Sequence, residues 1–373
     1  MENQKLVGIL LRAHLPFKQT YWGRNAPIIY RRKMNKIYNN NGYLNMDYIY
    51  NIDVPFIFIV GGRGIGKTYG AIKYCIENKQ KFILMRRTQT QADLIGIAEM
   101  SPLKAPCEDM GIVYKTIPMT KQCKAFYIDS ENENEFLCYT IALSTFANVR
   151  GFSASNIDVL LYDEFIPERH ERPIKQEGQA FLNCYETINR NRELQGRKPL
   201  KVICMANAFD LANELFTELG IVTKAENMSK RGQEITINKE RGYSIILPNK
   251  SPISRSKMGT ALYKLTGDNT DFARMSIGNE FSDNKGSLIM SKPIKEYRLL
   301  CIIGELAIYR HKSLNEFYAT PMITGTTSSQ FSTSESDKKR FRRSYAWLWK
   351  EYLDNRIIFE SYLMESLFTK AFA

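Results

Sequence analysis

The sequence predicts an α/β protein built on a mostly parallel sheet, and three observations predict it. An apolar, β-branched and aromatic run, Phe56 to Val60, stops at a glycine-rich turn and continues into Tyr69-Gly-Ala-Ile-Lys-Tyr74, which can be helical. A second apolar run, Ile157-Asp-Val-Leu-Leu-Tyr162, ends in two adjacent carboxylates, Asp163 and Glu164. Around them, short apolar runs alternate with segments of helical periodicity, the pattern of strand–helix–strand units whose sheet is covered on both faces.

The turn reads Gly61-Gly62-Arg63-Gly64-Ile65-Gly66-Lys67-Thr68. Its Gly61-x-x-x-x-Gly66-Lys67-Thr68 spacing fits the P-loop pattern in the expected strand–loop–helix context. Glycines let backbone N–H groups curl around a polyphosphate, and a helix beginning near Lys67 adds its positive dipole end. Lys67 then reaches the β and γ phosphates, and the Thr68 hydroxyl holds Mg²⁺. At average glycine usage the four fixed positions coincide in roughly one random chain of this length in a hundred. The pattern points to a nucleoside triphosphate, with ATP and Mg²⁺ as the expected ligands.

The paired acids form the second half of the site. A strand terminus projects successive side chains in different directions, so Asp163 can reach the Mg²⁺ shell while Glu164 faces the γ-phosphate. An acid directly after that Asp marks the P-loop branch in which a glutamate polarises the attacking water. Glu164 is then the general base and Asp163 the metal residue; two solvated acids after a strand are the plain alternative. Asn207 ends the next strand, Val202–Ala206, which in this branch lies between the P-loop strand and the Asp163 strand. Its side chain either touches the γ-phosphate or caps the following helix.

Arg190 and Arg192 sit at the end of a helix read over residues 178–192. Either arginine can serve a neighbouring subunit as a finger, worth about 10³–10⁵ in rate, or suit a helix C-terminus for its dipole alone. Arg190 is the first candidate. Arg63, Arg86 and Arg87 are further cations for phosphates in cis, for DNA or for the surface.

The length of 373 residues suggests two domains, and 44% apolar residues suffice for a real core. The expected division is a P-loop domain over 1–221, a linker region over 222–245 and a C-terminal domain over 246–373. The formal net charge is +13. Residues 1–221 carry 28 Lys and Arg against 23 Asp and Glu, and residues 222–373 carry 24 against 16, so the excess is denser towards the C-terminus. A nucleic-acid partner and general solubility both explain it. Seven scattered cysteines without a Cys-x-x-Cys, and three histidines without metal-ligand neighbours, argue against a disulfide scaffold or a structural zinc. No signal-peptide core and no membrane-length apolar run is visible, so a soluble cytoplasmic protein is expected, with no membrane partner.

In order along the chain, residues 1–55 read as a partly irregular lead-in that packs near the nucleotide base. There Tyr48 or Tyr50 is either a stacking partner or an ordinary packing aromatic. Residues 81–85 read as a strand and 89–100 as a helix. Three runs, 112–117, 125–128 and 136–143, separated by polar turns, read as an antiparallel insertion. A helix is expected over 210–219, and a hairpin over 234–237 and 243–247. A long connection over 253–284 leads to a β-rich patch at 297–309 and 316–323. Helices over 338–352 and 357–372 close the chain.

Together, Gly-Gly-Arg-Gly-Ile-Gly-Lys-Thr, Met-Arg-Arg, Leu-Leu-Tyr-Asp-Glu-Phe-Ile-Pro-Glu, Asn-Arg-Asn-Arg-Glu and Ile-Cys-Met-Ala-Asn-Ala, in this order across about residues 56–215, closely resemble the phi29-like phage DNA-packaging ATPases. The resemblance implies a P-loop motor of the additional-strand, catalytic-glutamate (ASCE) class, related to terminase large subunits and FtsK/HerA-type translocases. Such motors form a homo-oligomeric ring, usually a pentamer, at the portal (connector) of an empty prohead and drive double-stranded DNA inward. They work in the host cytoplasm, are attached to the portal vertex only transiently and are absent from the mature virion. Residue by residue it implies Gly61–Thr68 for the phosphates, Asp163 for Mg²⁺, Glu164 for the base, Arg190 as trans finger and Asn207 as sensor.

The resemblance further implies a smaller α/β C-terminal domain, similar to an RNase H-like nuclease that has lost its cutting site. The residues agree, because a two-metal nuclease needs clustered carboxylates. The run 299–307 offers only Glu305, and 317–323 offers none; Asp268, Asp271, Glu280 and Asp283 fall in apparent loops. The basic run Lys338–Arg343 binds DNA or a prohead RNA through phosphates, or is a solvated helix face. Arg86 and Arg87 are candidates for the DNA channel. A cellular P-loop translocase or helicase, and a nucleotide-binding scaffold without turnover, are the competing readings.

Overall fold

The computed structural model describes residues 37–129, 134–149, 154–168, 171–172, 174–207, 211–249, 251–266, 270 and 288–372. The lead-in up to residue 36 lies outside them, as do Asp268, Asp271, Glu280 and Asp283.

Nine strands form the main sheet. In chain order they are β1 (Phe56–Val60), β2 (Phe82–Arg86), β3 (Tyr114–Pro118), β4 (Lys124–Ile128) and β5 (Glu135–Ala142). Then come β6 (Val159–Asp163), β7 (Lys201–Ala206), β8 (Ile235–Asn238) and β9 (Tyr243–Ile246). Across the sheet the order is β3-β4-β5-β2-β6-β7-β1-β9-β8. From β5 to β9 every neighbouring pair is parallel. The outer pairs β3/β4, β4/β5 and β8/β9 are antiparallel. As the sequence predicts, β7 lies between β6 and β1.

The central strands are continuous apolar runs because both faces are covered. Phe58 and Val60 enter one core with Phe181 and Phe216, while Ile57 and Ile59 enter the opposite one with Ile72 and Leu84. This is the alternation a strand imposes. The helices on these faces include α1 (Met46–Tyr50), α2 (Lys67–Glu77), α3 (Gln89–Ile95), α4 (Lys104–Asp109), α5 (Glu177–Asn189), α6 (Glu214–Glu218) and α7 (Val222–Lys230). Two shorter ones follow, α8 (Pro252–Lys257) and α9 (Ala261–Thr266).

The expected linker over 222–245 is corrected by this topology. Residues 222–230 are α7, and β9 joins the main sheet beside β1, with Phe56 opposite Tyr243. An unpaired β1 would leave a ladder of N–H and C=O groups open, and the buried Ile245 and Ile246 close it. The hairpin itself is read correctly, but it belongs to the first sheet.

A second sheet contains β10 (Tyr297–Ile303), β11 (Leu306–His311), β12 (Phe317–Thr320), β13 (Gln330–Phe331) and β14 (Ile357–Phe359), in the order β13-β10-β11-β12-β14. The helices Glu335–Leu353 and Tyr362–Phe372 supply Phe341, Leu348 and Phe368 to its core. Two expectations change here. The single run 297–309 is two strands, broken where Gly304 adopts φ 55° and leaves Glu305 exposed in a turn. The helix expected from 357 starts at 362, because Ile-Ile-Phe pairs in parallel with β12. That last helix docks on the first sheet's helices: Lys370 lies 2.9 Å from Glu214, and the Leu363 N–H donates to Glu226 at 3.3 Å.

All seven cysteines are buried free thiols. Among the described residues no cluster of three His, Cys, Asp or Glu could hold a metal, and no helix is long and apolar enough to cross a membrane.

Candidate active site

The carboxyl ends of β1, β6, β7 and β2 meet on one side of the sheet, where the strand order reverses, the place open α/β sheets use for ligands. The phosphate loop leaves β1 there. Gly64 and Gly66 take φ values of 68° and 87°, a region that glycine enters without strain. Gly61 is needed for space, since a Cβ there would stand 2.6 Å from Pro248.

Lys67 is buried and donates to three neutral acceptors: the carbonyl oxygens of Gly61 at 2.8 Å and Gly62 at 2.7 Å, and Asn207 Oδ1 at 3.1 Å. Burial pushes its pKa down to about 7, against the pull of Asp163. An ammonium held among neutral oxygens in a glycine-rich turn is matched to an anion. Thr68 Oγ1 donates to both oxygens of Asp163 at 3.0 Å. Burial raises the Asp163 carboxyl, and the Arg86 guanidinium opposes it. A hydroxyl and a buried carboxylate in contact are the hard oxygen donors that suit Mg²⁺.

Arg86, at the end of β2, pairs with both acids: its Nη2 lies 2.9 Å from Asp163, and its Nη1 meets Glu164. Glu164 has φ 56°, a left-handed conformation that costs a non-glycine residue about 1–2 kcal/mol. Strain of this kind concentrates at functional sites. Arg63 pairs with Glu168 in the loop after β6, and Lys257 of α8 donates to the Arg63 carbonyl.

The structure therefore brings together Gly61–Thr68, Asp163, Glu164 and Asn207. Asn207 does not cap the next helix; Asn213 does, accepting from Phe216 N at 2.9 Å. Arg190 and Arg192 are elsewhere. The helix α5 runs back across the sheet, and 13 residues span roughly 20 Å. Arg192 lines a cavity with Pro55, Asp158 and Lys201, at the opposite ends of the strands. It is buried and donates to the Ala154 carbonyl at 3.0 Å, whereas Arg190 is exposed.

Both tyrosines take the ordinary packing role, and the reading of Arg87 is corrected. Tyr50 packs on the Tyr74 ring at 4.4 Å and lines that same far cavity, while Tyr48 packs against the core. Arg87 cannot face DNA, being fully buried. It is bidentate with Glu177 at 2.7 and 2.9 Å, and bonded to Glu171 at 3.0 Å. Its depth was hidden because the partners lie 84 and 90 residues away. Lys257 gave no signal at all, being 194 residues from Arg63; Arg86 could have been placed by setting β2 beside β6.

Residues 34–305 match the family described as Podovirus DNA encapsidation protein (Gp16). The DNA packaging protein of Bacillus phage phi29 is 26% identical over 249 residues, 65% of this chain and 65% of that one. The DNA packaging protein of Bacillus phage B103 is 27% identical over 237 residues, 62% of this chain and 66% of that one. The chain thus spans slightly less than two thirds of the relatives it matches. Two solved structures share its fold. The bacteriophage Phi-29 viral genome packaging motor assembly has a TM-score of 0.62 at 18% identity, covering 88% of this chain and 99% of that one. The Phi-28 gp11 DNA packaging motor has 0.56 at 19% identity, covering 89% and 98%. With its family match running from before β1 to the turn after β10, this chain belongs to the Podovirus DNA encapsidation protein (Gp16) family.

Proposed function

We propose that this protein is an ATP-driven motor that moves double-stranded DNA into a preformed prohead through its portal, working as a ring of identical subunits, with five as the expected number. The observation that carries the reading is the convergence of Lys67, Thr68, Asp163, Glu164 and Asn207 on one point. Membership of an encapsidation family, and relatives named DNA packaging proteins, supply the polymer to be moved.

In this reading Gly61–Thr68 cradle the phosphates, and Lys67 exchanges its carbonyl partners for phosphate oxygens. Thr68 and Asp163 would hold Mg²⁺, which when bound offsets phosphate charge. Glu164, released from Arg86, takes a proton from the attacking water. Asn207, already on Lys67, registers whether the γ-phosphate is present. Arg190 acts on the next subunit's nucleotide, since α5 carries it away from its own, and buried Arg192 does not.

Motion along the duplex rests on phosphate-backbone contacts, because a motor that moves a whole genome must not depend on base sequence. The C-terminal sheet acts without nuclease activity. The Lys338–Arg343 face, partly neutralised by Glu335 and Asp337, is a secondary candidate for DNA or prohead RNA.

The test is ATP-dependent protection of DNA from nuclease by purified proheads plus this protein. Protection that needs hydrolysable ATP is expected. Separation of the strands would favour a helicase, and ATP binding without hydrolysis a scaffold; either overturns the reading.

A further inference from the structure

We propose that the purine base of the nucleotide lies in a cleft between the loop 39–47 and the first turns of α2, with the Tyr43 ring as its stacking platform. The inference rests on the nucleotide reading above. The cleft encloses about 650 Å³ and is lined by Tyr43, Gly64, Gly66, Tyr69 and Gly70, among others. That volume is ordinary for a small-molecule site.

Its position follows from the polarity of the phosphate loop. Lys67, Asp163, Glu164 and Asn207 mark the γ end, and none of them lines the cleft. A triphosphate with its γ end at those groups runs along the loop amides towards the start of α2. The nucleoside then emerges beside Tyr69 and Gly70, where the cleft opens.

The platform is built into the loop. Asn39 Oδ1 accepts from the N–H groups of Asn41 at 3.0 Å and Tyr43 at 3.1 Å. The Leu44 N–H donates to Ile65 O at 3.0 Å, fastening this segment directly to the phosphate loop. A Cβ on Gly66 would stand 3.3 Å from the Tyr43 ring, so the aromatic edge meets the loop backbone. Tyr43 is 40% exposed and Tyr69 37%, two large aromatic side chains left open in one cleft. Asn41 and Asp47, also lining it, offer oxygen acceptors to an exocyclic amine.

Calorimetric titration of the full chain with Mg-ATP and with inorganic tripolyphosphate tests this. Loss of a base-stacking ring costs roughly ten- to hundredfold in affinity. Tyr43→Ala should weaken ATP by that factor, leave tripolyphosphate unchanged, and be rescued by Tyr43→Phe. Parent-like ATP binding in Tyr43→Ala would overturn the proposal. So would an equal loss for both ligands, which would mean that the ring only shapes the loop. If the parent chain bound neither ligand, the nucleotide reading itself would fall, a result distinct from a failure at Tyr43.

Discussion

Arg86 Nη2 stands 2.9 Å from Asp163 Oδ2, and the same guanidinium holds Glu164. One cation from the end of β2 thus pairs with both acids at the end of β6, because the two strands are neighbours, with Met85 opposite Tyr162.

Replacing that cation leaves Asp163 buried and uncompensated. Arg86→Met should lose about 3 kcal/mol of stability, the scale for breaking a buried pair from one side. Millimolar Mg²⁺ should then raise the melting temperature of the variant more than that of the parent. Equal shifts in the two proteins would remove Asp163 as a metal residue.

Glu164 carries both strain and charge. Glu164→Gln should still bind ATP, yet turn over about 10²–10⁴-fold more slowly. Glu164→Gly should be equally inactive but regain about 1 kcal/mol from relief of the left-handed backbone. A Gln variant that hydrolyses ATP at the parent rate would show the base to be another group.

Lys67 gives a pH signature. Its pKa is about 7 when folded, against about 10.4 in an unfolded chain. Between those values the unfolded chain holds the extra proton, so this group's contribution to stability grows as pH rises through the window and is lost as pH falls through about 7. A bound triphosphate restores the proton. Binding from about pH 7.5 to about 9 should therefore take up a proton, and affinity should decline as pH rises. Titrations in two buffers of different ionisation heat measure the uptake, and Lys67→Met should abolish it.

Arg190 is exposed at the far end of α5. If it completes a neighbour's site, Arg190→Ala and Glu164→Gln subunits, each inactive alone, should regain turnover when mixed, at interfaces that join an intact finger to an intact base. No recovery at any mixing ratio would assign Arg190 a role within its own subunit.

What the sequence by itself determined is what contiguous residues encode. Gly61–Thr68 carries the P-loop pattern in its own spacing, since its glycines and Lys67 belong to one turn. Asp163-Glu164 at the end of an apolar run needs only the direction of a strand, and the insertion of β7 followed from the family pattern. Only the tertiary structure decided which distant groups meet. Whether Arg86 faces DNA or the acids, and whether Arg87 is surface or core, depends on which strand lies beside β2. The hairpin at 235–246 was legible as a hairpin, but its place beside β1 was not, because strand pairing is a long-range choice between edges. Tyr43 rather than Tyr48 or Tyr50 borders the phosphate loop for the same reason. A backbone hydrogen bond from Leu44 to Ile65 sets that geometry, and no local pattern announces it.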